Sequence, residues 1–148
     1  MFLFKKYANR ADLFEGLSIW QDETYRKLQG AYPVIFLSFA AVKAGNLEDA
    51  KTQIKQEIAR LYWENRNLMK EDIFGEDERE LYYRTTVKMD DVTAQDSLRN
   101  LSVWMERYYG KKVIILLDEY DTPMQEAYVQ GYWDEFTTFV RSIVQCDF

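Results

Sequence analysis

Apolar positions along the chain follow two kinds of pattern. Two runs are continuous: Tyr32-Pro33-Val34-Ile35-Phe36-Leu37-Ser38-Phe39 and Val113-Ile114-Ile115-Leu116-Leu117. Both are short, rich in aliphatic residues and free of polar alternation. Each therefore predicts a strand buried on both faces, the habit of parallel sheets covered by helices. Pro33 at the start of its run removes no interior ladder bond. Elsewhere the apolar residues recur at helical spacing. Ile54, Ile58, Leu61, Tyr62, Leu68 and Met69 share one helix face, with Asn46 as N-cap and Asp49 three residues on as a weak capping box. Leu98, Leu101, Trp104, Met105 and Tyr108 predict another amphipathic helix, stopped by Gly110. Trp133, Phe136, Val140, Ile143 and Val144 stripe a last one. Such aromatic and aliphatic stripes predict core packing, not a cofactor box.

Weaker signals fill the gaps. Gly16 marks a turn, and Glu23 to Gln29 predicts a short helix closed by Gly30. Acids crowd between Lys70 and Asp91, but without the offsets and central glycine of a calcium loop, so a solvated helical insertion is expected. After the second strand, Thr122 is expected as N-cap, Pro123 at N1 and Gln125 at N3. The stretch from Met1 to Asn9 holds Phe2, Leu3, Phe4 and Tyr7 without a cap, and reads as the end of a helix. The order of elements predicts a single α/β layered domain over residues 1–148, incomplete at both ends.

Composition narrows the chemistry. A 148-residue chain with 47% hydrophobic and 16% aromatic residues fits one domain with a real core. The net charge of −6 weighs against a broad electrostatic footprint for nucleic acid or anionic membrane. With no histidine and the single cysteine Cys146, disulfide frameworks, Cys/His zinc sites and His-based triads are excluded. Cys146 itself is expected to be a small core or surface residue. No apolar run approaches membrane-spanning length and no signal-peptide pattern opens the chain, so a soluble cytoplasmic protein is the expectation.

The candidate chemistry sits where the second strand closes on Asp118-Glu119-Tyr120-Asp121-Thr122-Pro123. Acids at the C-terminal end of such a strand lie where open α/β sheets bind ligands. An aliphatic strand ending in Asp-Glu has the form of a Walker B element, in which the Asp holds Mg²⁺ and the Glu orients or activates water. The plainer alternative leaves Asp118 capping the turn and Glu119 solvated. Asp121 is expected to brace the turn, with a place beside the metal as its alternative, and Ser38 to pack or bond locally. A metal-dependent nuclease built on Asp118 and Glu119 is disfavoured, because no Lys stands two residues after Glu119. Phosphate cradling in P-loop enzymes needs G-x-x-x-x-G-K-[ST]. The six glycines, at 16, 30, 45, 75, 110 and 131, nowhere form it. On these grounds the chain is expected to bind ATP poorly or not at all.

Taken in order, Asp12-Leu13-Phe14-Glu15-Gly16-Leu17, the Tyr32–Phe39 run, Gly110-Lys111-Lys112 leading through the second strand to Pro123, and Ala127-Tyr128 before Gly131-Tyr132 resemble a bacterial AAA-ATPase-like domain. In that family the domain usually precedes a PD-(D/E)XK nuclease-like region. The resemblance implies a partial P-loop NTPase-like three-layer fold, with parallel strands near 33–39 and 112–118 and helices packed around them. It implies Asp118 as the metal residue and Glu119 as the catalytic, water-activating residue, with Mg²⁺ and ATP as ligands. It places the phosphate loop and its strand before Met1, and the sensor strand after Phe148. The expectation is a fragment of an ATP-hydrolysing domain that is inactive alone. The alternative is a non-catalytic interaction module that assembles with another subunit or with its own copies.

Overall fold

Parallel pairing of the two continuous apolar runs organises the molecule. In the computed structural model, which describes residues 9–145, strand β1 (Val34–Ser38) lies beside β2 (Ile114–Asp118) in a parallel register running from Val34↔Ile114 to Ser38↔Asp118. The expectations for the segment ahead of Asn9 and for Cys146 lie outside the described residues.

Ahead of β1 come a 3₁₀ turn (Ala11–Leu13) and two short helices, α1 (Ser18–Gln21) and α2 (Glu23–Arg26). Asp22 caps α2, its carboxylate accepting from the Thr24 N–H at 2.8 Å. The crossover from β1 to β2 is helical and long. It comprises α3 (Leu47–Glu64), a 3₁₀ turn (Arg66–Lys70), α4 (Glu76–Arg84) and α5 (Asp91–Tyr109). Two further helices, α6 (Asp121–Gln130) and α7 (Trp133–Val144), follow β2.

Local chemistry sets these boundaries. Asn46 accepts from the Asp49 N–H at 2.9 Å and starts α3 as the sequence predicts. The predicted apolar face of that helix is buried, but α3 stops at Glu64, so Leu68 and Met69 reach the core from the 3₁₀ turn. Asp90 caps α5 through the Thr93 N–H at 2.7 Å. Gly110 ends that helix at φ 62°, a left-handed backbone that a side chain would strain. Tyr108, expected on the buried stripe, is exposed instead.

The core lies against one face of the strand pair. Ile35 and Leu37 are buried under α3, and α7 packs on α3, α5 and α6. Alternation along a strand sends Phe36 and Leu116 to the opposite face. There they are 46% and 37% exposed, so the expectation of strands buried on both faces is not met. Among the described residues, α3 packs on β1, and α3, α5, α6 and α7 pack on one another.

The acidic stretch between Lys70 and Asp91 is also more than a solvated insertion. Tyr82 of α4 is buried, its hydroxyl donating to the Tyr62 carbonyl, and its ring lies 4.8 Å from that of Tyr62 and 5.5 Å from Trp104. The Tyr62 hydroxyl in turn donates to the Ser97 carbonyl at 2.7 Å. Burial pushes both phenols well above the ordinary tyrosine range. Glu78 accepts from Arg107 at 2.9 Å and from the Trp104 indole at 3.2 Å, binding α4 to α5. Lys51 and Lys55 of α3 both reach Asp91, at 2.8 and 2.7 Å, at the start of α5.

Candidate functional site

The acids singled out in the sequence stand at the C-terminal end of the parallel pair. Asp118 is the last residue of β2 and lies opposite Ser38, the last residue of β1. The Ser38 hydroxyl donates to Asp118 Oδ2 at 3.4 Å. The Phe39 N–H donates to the Asp118 carbonyl at 2.9 Å, carrying the ladder one step beyond the strands. Ser38 also accepts from the Ala40 N–H at 3.4 Å, which turns the chain away from the sheet. Both carboxylates, Asp118 and Glu119, are exposed.

Glu119 has φ 55°, the one positive value outside glycine among the described residues. A left-handed backbone at a residue bearing a Cβ is strained by about 1–3 kcal/mol and persists only where its surroundings hold it. Here the Thr122 N–H donates to the Glu119 carbonyl at 3.2 Å, and the Thr122 hydroxyl donates to Glu119 Oε2, also at 3.2 Å. This departs from the expected helix start. α6 begins at Asp121, so Thr122 lies within its first turn and its hydroxyl is turned back to Glu119. Asp121 is exposed in the same turn, where its charge complements the helix N-terminus, and among the described residues its carboxylate accepts no hydrogen bond.

A cavity of about 500 Å³ opens beside these residues, lined by Leu117, Tyr120, Trp133, Val140, Arg141 and Val144, among others. It lies among β2, α6 and α7. Among the described residues β2 pairs with β1 alone, and no described segment pairs with its other edge. Sequence reasoning did not anticipate this hollow. Its one available signal was the α7 stripe, whose Trp133 and Val144 are less buried than Phe136 and Ile143 between them.

The oxygen donors of Asp118 and Ser38 are hard ligands of the kind Mg²⁺ accepts, usually alongside substrate phosphates and water. Among the described residues no three metal-ligating side chains gather into a cluster, and no loop of consecutive glycine-rich N–H groups stands near Asp118. Among the described residues the strand ends thus offer two neighbouring oxygen-bearing side chains, Ser38 and Asp118, and no backbone cradle for a phosphate.

A family model described as a predicted AAA-ATPase matches residues 1–146. The chain belongs to the AAA-ATPase-like family. Comparison with curated proteins and with solved structures found no match. Membership in the AAA-ATPase-like family implies nucleotide and Mg²⁺ use in general. An α/β arrangement with a parallel strand pair is in keeping with it. No helix among the described residues is long and apolar enough to cross a membrane.

Proposed function

We propose that this chain is a portion of an ATP-binding and ATP-hydrolysing domain that keeps the Walker B strand and lacks the phosphate loop. In this reading Asp118 is the acid that holds Mg²⁺ and Glu119 the acid that orients the attacking water. The observation that carries it is the pairing of Ser38 with Asp118 at the C-terminal end of two parallel strands, in an AAA-ATPase-like chain. At that edge open α/β sheets present their ligand-binding residues. Because G-x-x-x-x-G-K-[ST] does not occur in the sequence, the chain by itself is proposed to be inactive.

The test is an ATPase assay on two proteins. This chain alone should show no Mg²⁺-dependent turnover. The chain preceded by the strand, phosphate loop and helix of a family member should hydrolyse ATP. Glu119→Gln in the extended protein should then reduce kcat by at least about a hundredfold, the scale of a lost general base. An extended Glu119→Gln protein that retains its full rate removes Glu119 from the chemistry.

A second reading is favoured by the apolar cavity beside β2, at an edge that no described residue pairs with. An unpaired strand edge is a template for another chain, and a concave apolar surface marks a place of association. In this reading the chain is a non-catalytic module that assembles with a protein partner or with its own copies. Light scattering that shows a monomer, together with no binding of a hydrophobic dye, counts against it.

A further inference from the structure

A second apolar groove lies at the C-terminal end of α3, roughly 25 Å along that helix from its first residue. It has a volume of about 300 Å³ and is lined by Trp63, Arg66, Tyr82, Tyr83 and Val87, with Tyr62 in its floor. Nothing in the nucleotide reading uses it. Trp63 is 66% exposed and Tyr83 60%, an unusual placement for two large aromatic side chains lining one groove.

The groove is built from held groups. Its floor is fixed by the Tyr82 hydroxyl on the Tyr62 carbonyl and the Tyr62 hydroxyl on the Ser97 carbonyl. Its wall is fixed by Arg66, whose guanidinium lies 4.3 Å from the centroid of the Trp63 ring and donates to the Trp63 carbonyl at 2.8 Å. Arg66 forms no ion pair with a described residue, and it is the one charged residue lining the groove. In a chain of net charge −6, the charge in this groove is therefore positive. Rigid aromatics with an oriented guanidinium are the composition of binding hot spots, and a surface already in place loses little entropy on binding.

We propose that this groove docks an acidic segment of a protein partner, one that seats a large aliphatic or aromatic side chain between Trp63 and Tyr83 and sets a carboxylate on Arg66. Single-stranded nucleic acid also stacks on aromatic side chains, but it needs a track of positive charge along its backbone. A single Arg in the lining does not supply one.

The experiment is fluorescence anisotropy on the full chain with three labelled probes. They are a peptide with a Leu-Phe pair set among glutamates, the same peptide with lysines in place of the glutamates, and oligothymidylate. The acidic peptide should bind in the micromolar range, and the other two at least tenfold more weakly. Trp63→Ala should abolish the binding. Arg66→Glu should weaken the acidic peptide by roughly fivefold or more and strengthen the basic one, since a favourable exposed pair becomes a repulsive one. If Arg66→Glu does not fold, as judged by circular dichroism, Arg66→Gln should give the same loss without the gain. No binding of the acidic peptide, equal binding of both peptides, tighter binding of oligothymidylate, or indifference to the Arg66 substitutions would each overturn the proposal. All of these readouts are independent of ATP.

Discussion

Thr122 holds Glu119 twice, its N–H on the carbonyl and its hydroxyl on the carboxylate, both at 3.2 Å, while the Glu119 backbone stands at φ 55°. A carboxylate proposed for chemistry thus sits on a backbone whose conformation favours glycine. Glu119→Gly should relieve that strain and, after the entropy glycine adds to the unfolded chain, stabilise the fold by up to about 1 kcal/mol. The same exchange at Glu126, inside α6, should destabilise by about 1 kcal/mol. Urea denaturation of both variants checks the pair, and equal losses at the two sites would contradict a strained Glu119.

The buried tyrosine ladder gives a second expectation. Tyr62→Phe removes the hydroxyl that donates to the Ser97 carbonyl and leaves the ring in place. A loss of about 1 kcal/mol is expected, as for a neutral hydrogen bond whose acceptor stays inside. Tyr62→Ala should cost about 3–5 kcal/mol, because the ring also packs on Tyr82 and Trp104. Thermal or urea unfolding monitored by circular dichroism separates the two effects.

Stability should fall at both ends of the pH range. The Gly75 N–H, then Arg107 and Trp104, hold the Glu78 carboxyl below its ordinary value, and Lys51 and then Lys55 do the same for Asp91. A carboxyl lowered in the folded state contributes stability that is present above its unfolded pKa, about 4, and is lost as pH falls below it. Tyr62 and Tyr82 are raised by burial, so the sign reverses. Their contribution is present below the unfolded pKa of about 10 and is lost as pH rises above it. Midpoints of urea unfolding measured from pH 3 to 11 should form a plateau between roughly pH 5 and 9. Glu78→Gln should flatten the acid side, and Tyr82→Phe the alkaline side.

Both strands, the apolar faces of α3 and α7, and the caps at Asn46 and Gly110 were legible because each depends on residues close in sequence. What the pattern misjudged was the environment. A run of aliphatic residues fits a strand with two covered faces, and periodicity cannot say which segment supplies the second cover. Phe36 and Leu116 therefore came out more exposed than expected. Tyr82 was hidden among acids, and its burial depends on Tyr62 and Trp104, 20 residues before it and 22 after it in the chain. At the candidate site the sequence supplied Asp118 and Glu119 as residue types. The Ser38–Asp118 contact came from strand register, and the role of Thr122 from a backbone angle that no side-chain pattern encodes.

Calorimetric titration of Mg-ATP into the purified chain tests the central claim most directly. With Asp118 and Glu119 in the proposed Walker B roles and no phosphate loop in the sequence, the chain should show no saturable heat up to about 1 mM nucleotide. Saturable, Mg²⁺-dependent binding in the micromolar range that disappears in Asp118→Asn would contradict it, and would mean that these 148 residues hold a phosphate site of another kind.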